Sequence, residues 1–531
     1  MSVSEVLARH GIPGAVWNER PTVYADRVGD WCLSSASLEH RKRYGQYLTP
    51  VVVADFMASF VAPRSGAVRI LDPGAGSGTL SCALAEHLVS QKKKPSHIII
   101  EAFETDPGLT VPLGKTLTYL RSHLEERGIS ATVTISEEDF VLRFAWALGA
   151  KHSLFDRGRR LPEFDICICN PPYFKLSKAD PRARAAAAAV HGQPNIYALF
   201  MAVAAALLST DGELVFITPR SFASGPYFRL FRERFFKMVV PDRIHVFESR
   251  REAFKRDRVL QENIIVKARR SDGRECAEEH GMVQVSMSRG SGDLHAIQSL
   301  LVPLTSVLDF TSKDKVLRVP TSMDHERLFK AMRRWHNVPA SYGWEISTGP
   351  VVPFRSVDLI SDAGGHSERY APLIWMQNVR AMRTTWPLTD IRKPQYMRVS
   401  EASASLLVPD RNYVLIRRFS AKEEARRIVA APLEAGAFGS RFVGLENHLN
   451  YVHKPNSSLS PDEAWGLAVV YNSALFDTFF RSVNGSTQVS ATELRSIRLP
   501  PLAAITEIGR RARSLSNPEE KVEELFQRVL R

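Results

Sequence analysis

Cysteine is scarce in this chain and shows no pattern of pairing. The 531 residues include five cysteines, at Cys32, Cys82, Cys167, Cys169 and Cys276. None belongs to a Cys-x-x-Cys pair or to a Cys/His array with the spacing of a zinc site. We therefore expect reduced thiols, no bound metal and a cytoplasmic protein.

Long apolar runs are also absent. The first residues, MSVSEVLARHGIPG, lack the apolar segment of a secretory signal peptide, and no later run is long enough to span a bilayer. No internal repeat is visible, and no long polar tract indicates extensive disorder. These absences predict a protein that is neither exported nor inserted into a membrane.

What the chain has is length and positive charge. A chain of 531 residues exceeds one ordinary domain, and 44% apolar residues suffice for two or three cores. Lys and Arg number 70 against 57 Asp and Glu, which gives a formal net charge of +13. A polyanionic partner would explain this excess, although a basic protein without a nucleic-acid role fits the composition equally well.

Strand and helix patterns alternate between residues 50 and 218. Apolar runs predict strands, and apolar residues at helical spacing predict helices. The predicted strands are 68–71, 97–103, 131–135, 164–169 and 213–218, and the predicted helices are 50–62, 79–90, 107–127 and 195–209. This alternation favours an open α/β sheet, doubly wound and Rossmann-like, with helices on both faces.

The pattern changes after residue 270. The basic and polar stretch 269–274 predicts a domain boundary, and the remainder mixes short strands and turns before a helix at 518–531. We predict an N-terminal extension over residues 1–45, the sheet domain over 46–270 and an α+β domain over 271–531.

A glycine-rich turn follows the first predicted strand. It reads Asp72-Pro73-Gly74-Ala75-Gly76. Glycines let the backbone approach a ligand closely, and ligands of such sheets bind beyond the carboxyl ends of the strands. The turn lacks the Gly-Lys-Ser/Thr ending of a phosphate loop. Both a nucleotide site and a simple tight turn fit this pattern.

Carboxylates follow the next two strands. Glu104 can accept hydrogen bonds from both hydroxyls of a ribose, and Glu101 and Asp106 are its rivals. Asp139 can accept from the amino group of an adenine while Phe140 packs on the ring. For Glu101, Glu104 and Asp106, exposure without a function is the alternative.

The most informative motif is Asn170-Pro171-Pro172-Tyr173, directly after the fourth strand. The two prolines stiffen the loop and remove two N–H donors. The side-chain oxygen of Asn170 and the carbonyl of Pro171 can then both accept from one –NH2 group, and Tyr173 can stack on a planar base or amide. This arrangement would position an amine for attack on a methyl sulfonium, and a proline-stiffened turn is the alternative.

In this order, the motifs resemble those of the N6-adenine DNA methyltransferases of restriction–modification systems. The resemblance is closest to the gamma class, in its TaqI-like and PstI/BsuBI-like groups, and covers residues 40–270 best. It implies a Rossmann-like S-adenosylmethionine-dependent methyltransferase sheet and a C-terminal target-recognition domain. The residues that it assigns to the cofactor S-adenosylmethionine are Tyr47, Thr49, Asp72, Pro73, Gly74, Ala75, Gly76, Glu104, Asp139, Phe140 and Asn170. The residues that it assigns to the target base are Asn170, Pro171, Pro172 and Tyr173.

The resemblance also implies a substrate and a biological role. The substrate would be double-stranded DNA, from which the adenine is flipped at a cost of a few kcal/mol. Methylation would protect host DNA against a cognate restriction endonuclease, and a monomer could methylate the two strands in separate events. The candidate DNA-binding residues are Arg380, Arg383, Arg392, Lys393, Arg417, Arg418 and Gln488, and for any one of them a phosphate contact is more common than base reading.

Two further segments bear on the resemblance. Residues 484–494 resemble a block of these enzymes near the DNA. The family usually supplies a second base-stacking aromatic near residues 261–266, and this chain has none there.

Other functions remain open at this stage. A methyltransferase with the same motif could act on an RNA guanine or a protein glutamine, although it would not need the basic C-terminal half. A catalytically silent DNA-binding protein is a second alternative. A fused restriction–modification enzyme is disfavoured because the segment before residue 40 is too short for a nuclease domain.

Overall fold

The computed structural model describes most of the chain, in two compact units. The described residues are 11–45, 47–149, 161–191, 194–248, 262–271, 281–308, 315–320, 330, 332, 334–362, 369–420, 424, 426–483 and 488–530. The first unit is Met1–Thr321 and the second is Ser322–Arg531. No helix in these ranges combines the length and the apolar character needed to cross a membrane.

A nine-stranded sheet forms the centre of the first unit in the described part of the chain. Its strands are β1 (Gly66–Pro73), β2 (Pro95–Phe103), β3 (Ser130–Ser136), β4 (Phe164–Cys169), β5 (Leu208–Pro219), β6 (Val239–Phe247), β7 (Asn263–Arg270), β8 (Met282–Ser288) and β9 (Ser299–Pro303). Their order is β3-β2-β1-β4-β5-β7-β6-β8-β9. The first five in this order run parallel, and β7 is antiparallel to both of its neighbours.

Helices surround this sheet. Those described are α1 (Pro21–Ser35), α2 (Leu38–Tyr44), α3 (Val51–Ala58), α4 (Thr79–Ser90), α5 (Pro107–Glu125), α6 (Phe140–Phe144), α7 (Pro181–Ala185), α8 (Ile196–Ala206), α9 (Arg229–Met238) and α10 (Leu304–Val307). Pro107 occupies the first turn of α5, where a missing N–H costs little. Each helix that the sequence predicts for this region is present, with ends that differ by a few residues.

The two faces of the sheet pack into two separate apolar cores, because successive side chains of a strand point to opposite faces. In β4, Cys167 and Cys169 join one core together with α8, whereas Ile166 and Ile168 join the other together with α4 and α5. All four side chains are fully buried. Burial on both faces explains the continuous apolar run of β4 and confirms the predicted α/β class.

The sheet continues beyond the boundary predicted at residue 270. β8 pairs in parallel with β6, and β9 pairs antiparallel with β8. Arg269 and Arg270 therefore end strand β7 inside the sheet, and residues 272–274 lie outside the described residues. The chain divides instead between Thr321 and Ser322, which lie outside the described residues.

The described part of the predicted N-terminal extension also belongs to the first unit. The ring of Tyr24 in α1 meets the ring of Tyr119 in α5 edge-on, with 5.1 Å between their centroids. Arg20 pairs with Glu86 of α4 at 2.6 Å. These contacts make α1 part of the helical layer over the sheet rather than a separate segment.

The second unit contains small sheets and helices, as the predicted α+β class requires. Its described strands are β10 (Glu345–Thr348), β11 (Ile360–Ser361), β12 (Tyr370–Ile374), β13 (Val379–Arg380), β14 (Arg383–Thr384), β15 (Tyr396–Arg398), β16 (Leu407–Pro409), β17 (Tyr413–Arg417), β18 (Ala430–Leu433), β19 (Phe442–Leu445) and β20 (Leu449–His453). They form sheets in the orders β10-β20-β17-β18 and β11-β15-β12-β19-β16, and β13 pairs with β14 in a hairpin.

Helices pack against the first of these sheets. Those described are α11 (Pro461–Asn472), α12 (Ala474–Val483), α13 (Ala491–Ser496), α14 (Leu502–Arg513) and α15 (Val522–Leu530). The last helix begins at Val522 rather than at Pro518, because Pro518–Lys521 forms a 3-10 turn. Side chains of α11, α14 and α15 share one apolar core with β17 and β20.

Candidate active site

The loops that follow β1, β2, β3 and β4 meet at one edge of the first sheet. β1 lies between β2 and β4, so successive connections run outward on opposite sides of it. Such a reversal is where open α/β sheets bind ligands. A cavity of about 370 Å³ opens there, lined by residues from all four loops. Its volume is in the usual range for small-molecule sites.

The glycine turn contributes backbone to this cavity. Gly74 and Gly76 line it, with φ angles of 82° and 58° that favour glycine. The amides of Gly74 and Ala75 both donate to the carbonyl of Phe103 at 2.8 Å, which ties the turn to the end of β2. A β-carbon on Gly74 would lie 3.6 Å from the ring of Phe200, so a side chain there would narrow the cavity.

Glu104 brings a carboxylate to the cavity wall. Its Oε2 accepts from the amide of Gly76 at 2.9 Å, and its Oε1 accepts from the amide of Asp106 at 2.8 Å. The side chain is buried, and this burial raises the pKa of Glu104 to about 7. Each oxygen keeps a lone pair, so the carboxylate can also accept from the hydroxyls of a ligand.

The rivals of Glu104 have other positions. Asp106 caps α5, where its Oδ1 accepts from the amide of Gly108 at 2.9 Å and its Oδ2 lies 2.7 Å from Nε2 of His40. Glu101 is half-buried within β2 and is not among the described residues that line the cavity. The geometry therefore favours Glu104.

Asp139 and Phe140 line the same cavity. Asp139 caps α6, where its Oδ1 accepts from the amide of Leu142 at 3.0 Å. Its Oδ2 lies 3.7 Å from the guanidinium of Arg182, which also borders the cavity. The guanidinium of Arg182 packs over the ring of Phe174 at 5.6 Å. A carboxylate, a cation and aromatic faces thus meet at one end of the cavity.

Asp72 lies behind the wall instead of in it. The side chain is fully buried, and its Oδ2 accepts from the hydroxyl of Ser81 in α4 at 2.6 Å. Burial raises the pKa of Asp72 to about 7. The carboxyl group therefore links β1 to α4, in place of the predicted cofactor contact. Pro73 and Ala75 shape the turn but are not among the described residues that border the cavity.

Asn170 is held in the cavity wall by two acceptors. Its Nδ2 donates to the carbonyl of Tyr47 at 2.7 Å and to the hydroxyl of Thr49 at 3.1 Å. These contacts fix the amide so that Oδ1 is the acceptor on the other side. Thr49 is buried and is not a described lining residue, so it supports Asn170, whereas Tyr47 does line the cavity.

Tyr173 differs from its predicted role. It is 8% exposed, and its ring stacks on that of Tyr47 at 5.5 Å. Its hydroxyl can donate to Oδ1 of Asn170 or to the carbonyl of Ile217, the latter at 2.9 Å. Neither Tyr173 nor the buried Pro171 is a described lining residue, whereas Pro172 and Phe174 are. The motif thus presents Phe174 to the cavity, and Tyr173 braces Asn170.

Several lining residues were not singled out from the sequence, and Phe200 and Arg182 are two of them. Phe200 lies in α8, which begins close to the motif loop, and its ring is 5.3 Å from that of Phe140. Arg182 lies in α7, next to its partner Asp180. Their position in the sequence could have indicated them, because both helices follow β4 and approach the same edge of the sheet.

Within the stretch 261–266, where the resemblance expects an aromatic, residues 263–266 belong to the buried strand β7. Asn263 begins β7 opposite Pro219 of β5 and is 1% exposed. The next three residues are fully or almost fully buried. Gln261 lies outside the described residues. The described part of this stretch therefore belongs to the core and does not offer a stacking surface.

The predicted DNA-binding residues form two groups in the second unit. Arg380 and Arg383 are exposed on the hairpin of β13 and β14, and Arg392 is exposed nearby in sequence. Lys393 is half-buried, with its Nζ 4.4 Å from the ring of Trp375. The other group lies at the end of β17 and contains Arg417, Arg418 and Gln488. Of the block 484–494, residues 484–487 lie outside the described ranges.

Comparisons with known proteins support one family. The family described as Eco57I restriction-modification methylase matches residues 120–254. The type II methyltransferase M.PstI of Providencia stuartii is 31% identical over 509 residues, which are 96% of this chain and 97% of that protein. M.BsuBI of Bacillus subtilis, also a type II methyltransferase, is 33% identical over 479 residues, 89% of this chain and 91% of that protein.

A shorter match concerns another methyltransferase. The tRNA1(Val) (adenine(37)-N6)-methyltransferase of Pedobacter heparinus is 26% identical over 161 residues, 30% of this chain and 55% of that protein. The two type II enzymes, in contrast, match along nearly the whole chain. This chain belongs to the family of type II methyltransferases that includes M.PstI and M.BsuBI.

Proposed function

We propose that this protein transfers a methyl group from S-adenosylmethionine to N6 of an adenine in double-stranded DNA, at a specific sequence. The observation that carries the proposal is the side chain of Asn170. Its amide nitrogen is fixed by Tyr47 and Thr49 in the wall of a cavity that Gly74 and Glu104 also line. An acceptor for an amine therefore lies beside a site with the features of a nucleoside pocket.

The residues of the cavity fit S-adenosylmethionine. The carboxylate of Glu104 can accept from ribose hydroxyls, and the aromatic residues Phe103, Phe140 and Phe200 supply apolar faces for an adenine ring. Asp139 offers a carboxylate to an adenine amino group. When bound, S-adenosylmethionine supplies an electrophilic methyl group on a sulfonium.

At the acceptor end, the chain positions an amine. Oδ1 of Asn170 accepts from the hydroxyl of Tyr173 and keeps a second lone pair for an amino group of the substrate. The hydroxyl can turn to the carbonyl of Ile217, which frees Oδ1 further. This oxygen would orient the nitrogen lone pair. The proton can leave after transfer, so positioning supplies the catalysis.

DNA is the substrate that the relatives and the charge favour. The named tRNA methyltransferase matches 30% of this chain, whereas two type II methyltransferases match 96% and 89% of it. A net charge of +13 suits a polyanion. By analogy with these relatives, we propose that the enzyme acts in the cytoplasm, possesses a target-recognition domain in its second unit and protects DNA from a partner restriction endonuclease.

The proposal is tested by offering labelled S-adenosylmethionine with three acceptors in parallel. These are unmethylated double-stranded DNA, tRNA and a protein extract, each with wild type and with Asn170→Ala. We expect label in DNA with the wild type only, while both proteins bind the cofactor. Label in tRNA or protein instead would favour the other methyltransferase functions. Cofactor binding without transfer to any acceptor would favour a DNA-binding protein without activity.

A further inference from the structure

Arg418 differs from the exposed arginines of the second unit because its guanidinium is held on two sides. The residue follows β17 and is half-buried, and its Nη1 donates to the carbonyl of Asn447 at 2.9 Å. With the amide oxygen of Gln488 facing the arginine, Nε and Nη2 donate to that oxygen at 2.8 and 2.5 Å. The guanidinium carbon also lies 5.6 Å from the ring of Phe419. These contacts fix both the position and the plane of the guanidinium.

The backbone on both sides of this pair is anchored. The amide of Arg418 donates to the carbonyl of His448 at 2.9 Å, and its carbonyl accepts from the amide of Val489 at 2.7 Å. The carbonyl of Val489 accepts in turn from the side chain of Asn450, which is fully buried, at 2.8 Å. Gln488 is thus attached to the same small sheet that carries Arg418.

The turn that supplies the Asn447 carbonyl is also rigid. The amide of Asn447 donates to the carbonyl of Val351 at 2.8 Å, and that of Glu446 donates to the carbonyl of Ile374 at 3.0 Å. The side chain of Glu446 is 1% exposed and contacts Nδ1 of His448. Each partner of Arg418 therefore has its own support, which is how proteins preorganise a recognition group.

The contacts of Arg418 leave part of its hydrogen-bonding capacity unused. A guanidinium has five N–H groups, and the contacts above occupy three of them. Within the described residues, one N–H remains on Nη1 and one on Nη2. The acceptors are neutral, whereas the neighbouring Arg417 lies 3.6 Å from the carboxylate of Glu424. Arg418 therefore keeps its charge and two donors for a partner.

We propose that Arg418 reads a guanine in the recognition sequence and that Gln488 is its positioning residue. Two N–H groups of one guanidinium match the O6 and N7 acceptors of guanine in the major groove. An exposed arginine such as Arg380 is better suited to a phosphate, which carries no sequence information. This inference rests on the proposed methylation of DNA and adds a specificity-determining residue to it.

The test is the sequence preference of the full-length enzyme on a randomised double-stranded DNA library, with methylated adenines mapped by single-molecule sequencing. Arg418→Lys keeps the charge but loses the planar pair of donors. We expect the preference for guanine at one position to fall on the order of 10- to 100-fold, with the other positions unchanged. Arg411→Lys is the matched control, because Arg411 precedes the opposite end of β17 and donates to the carbonyl of Ser457 at 2.9 Å. Arg411→Lys should leave the preference for guanine unchanged.

Gln488 provides a second test that does not alter the arginine. Gln488→Ala removes the acceptor of Nε and Nη2 and should weaken the preference at the same guanine position. Gln488→Glu keeps an acceptor oxygen there and should restore that preference, even if added negative charge slows methylation of all sequences. A purely structural role would not confine the effect to one position of the recognition sequence.

The outcomes separate this inference from the function on which it rests. A recognition sequence that Arg418→Lys and Gln488→Ala leave unchanged would overturn the inference alone. A uniform fall in DNA affinity for all sequences, with a smaller dependence of that affinity on salt, would also overturn it, because that result is typical of a phosphate contact. A wild-type enzyme that methylates no DNA would overturn the proposed function and this inference with it.

Discussion

Asn170 is the residue on which the proposed chemistry depends most directly. Asn170→Ala removes the acceptor oxygen and the two hydrogen bonds to Tyr47 and Thr49. We expect the rate of methyl transfer to fall by about 100-fold or more, as is usual for loss of one preorganised hydrogen-bonding group. Cofactor binding should persist because Glu104 and Gly74 remain. Single-turnover kinetics and calorimetry measure the two properties separately.

Thr49→Val is the control for this substitution. It keeps the shape of residue 49 but removes the hydroxyl that accepts from Asn170. The rate should fall less than in Asn170→Ala, because the Tyr47 carbonyl still holds the amide. An Asn170→Ala enzyme with a wild-type rate would contradict the role assigned to this side chain.

The raised pKa of Glu104 predicts how the binding of S-adenosylmethionine depends on pH. Burial raises its pKa to about 7, so below pH 7 the free protein carries mostly the protonated form. Ribose hydroxyls donate to the ionised carboxylate, so binding below that pH must displace a proton. The Kd for S-adenosylmethionine should therefore fall by roughly 10-fold between about pH 6 and about pH 8. Isothermal titration calorimetry at several pH values measures this.

Glu104→Gln supplies the comparison. The amide of the substituted side chain cannot ionise. At high pH, the Kd of this variant for S-adenosylmethionine should therefore be larger than that of the wild type. Its Kd should also lack the part of the pH dependence that is due to residue 104. If wild type and Glu104→Gln showed the same pH profile, Glu104 would not be the group that titrates on binding.

At the level of residues, the sequence predicted where polar groups meet but not which way each one faces. The ends of the strands pointed to Glu104, Asp139 and Asn170, which line one cavity. Tyr173 could not be placed, because its burial depends on stacking with Tyr47, which lies far away in sequence. Asp72 turned inward for a similar reason, since Ser81 completes its hydrogen bond.

Two helices of the second unit pack so closely that only glycine fits at their contact. A β-carbon on Gly466 of α11 would lie 1.8 Å from the carbonyl oxygen of Ile505, and one on Gly509 of α14 would lie 1.8 Å from that of Asp462. Gly466→Ala should therefore lower the free energy of unfolding by about 1 to 3 kcal/mol, as overpacking does. Urea unfolding followed by circular dichroism measures this change.

Helix propensity makes the opposite prediction, which sharpens the test. Alanine is favoured over glycine inside a helix by about 1 kcal/mol, so propensity alone would make Gly466→Ala stabilising. Gly114→Ala is the matched control, because Gly114 lies inside helix α5 and the nearest atom to a β-carbon there is Cδ1 of Ile135 at 3.9 Å. A stabilised Gly466→Ala protein would refute the close packing of α11 and α14.

At the level of elements, the strands β1 to β5 and the helices α3, α4, α5 and α8 of the first unit were predictable because each has a strong apolar pattern. The strands β6 and β7 were not predicted. The ends were less predictable, as the last helix shows: Pro518 signals a start, but a 3-10 turn precedes Val522. The strands β8 and β9 were missed as parts of the sheet. Their membership depends on pairing with β6, and local sequence carries no direct signal of such pairing.

At the scale of the molecule, the net charge of +13 predicts salt-sensitive DNA binding. Neutralising phosphates releases counterions, so the affinity should fall by roughly 100-fold or more between about 50 and about 200 mM salt. Fluorescence anisotropy with a labelled duplex gives the slope of log K against log salt. A slope near zero would mean that the positive charge does not contact the phosphate backbone.

The division of the chain shows what composition can and cannot indicate. Length and a change of pattern correctly suggested more than one unit. The boundary predicted at residue 270 followed a polar stretch, yet the sheet resumes beyond it and the first unit ends at Thr321. A polar connection inside a sheet and a linker between domains have the same composition, so only strand pairing distinguishes them.

The central claim is that this chain methylates adenine N6 at a specific DNA sequence. The most direct measurement is single-molecule sequencing of unmodified bacterial genomic DNA after incubation with S-adenosylmethionine and either the wild type or Asn170→Ala. The account predicts N6-methyladenine at one recurring sequence with the wild type and none with the variant. Methylation of another base, or of adenine without any preferred sequence, would contradict it.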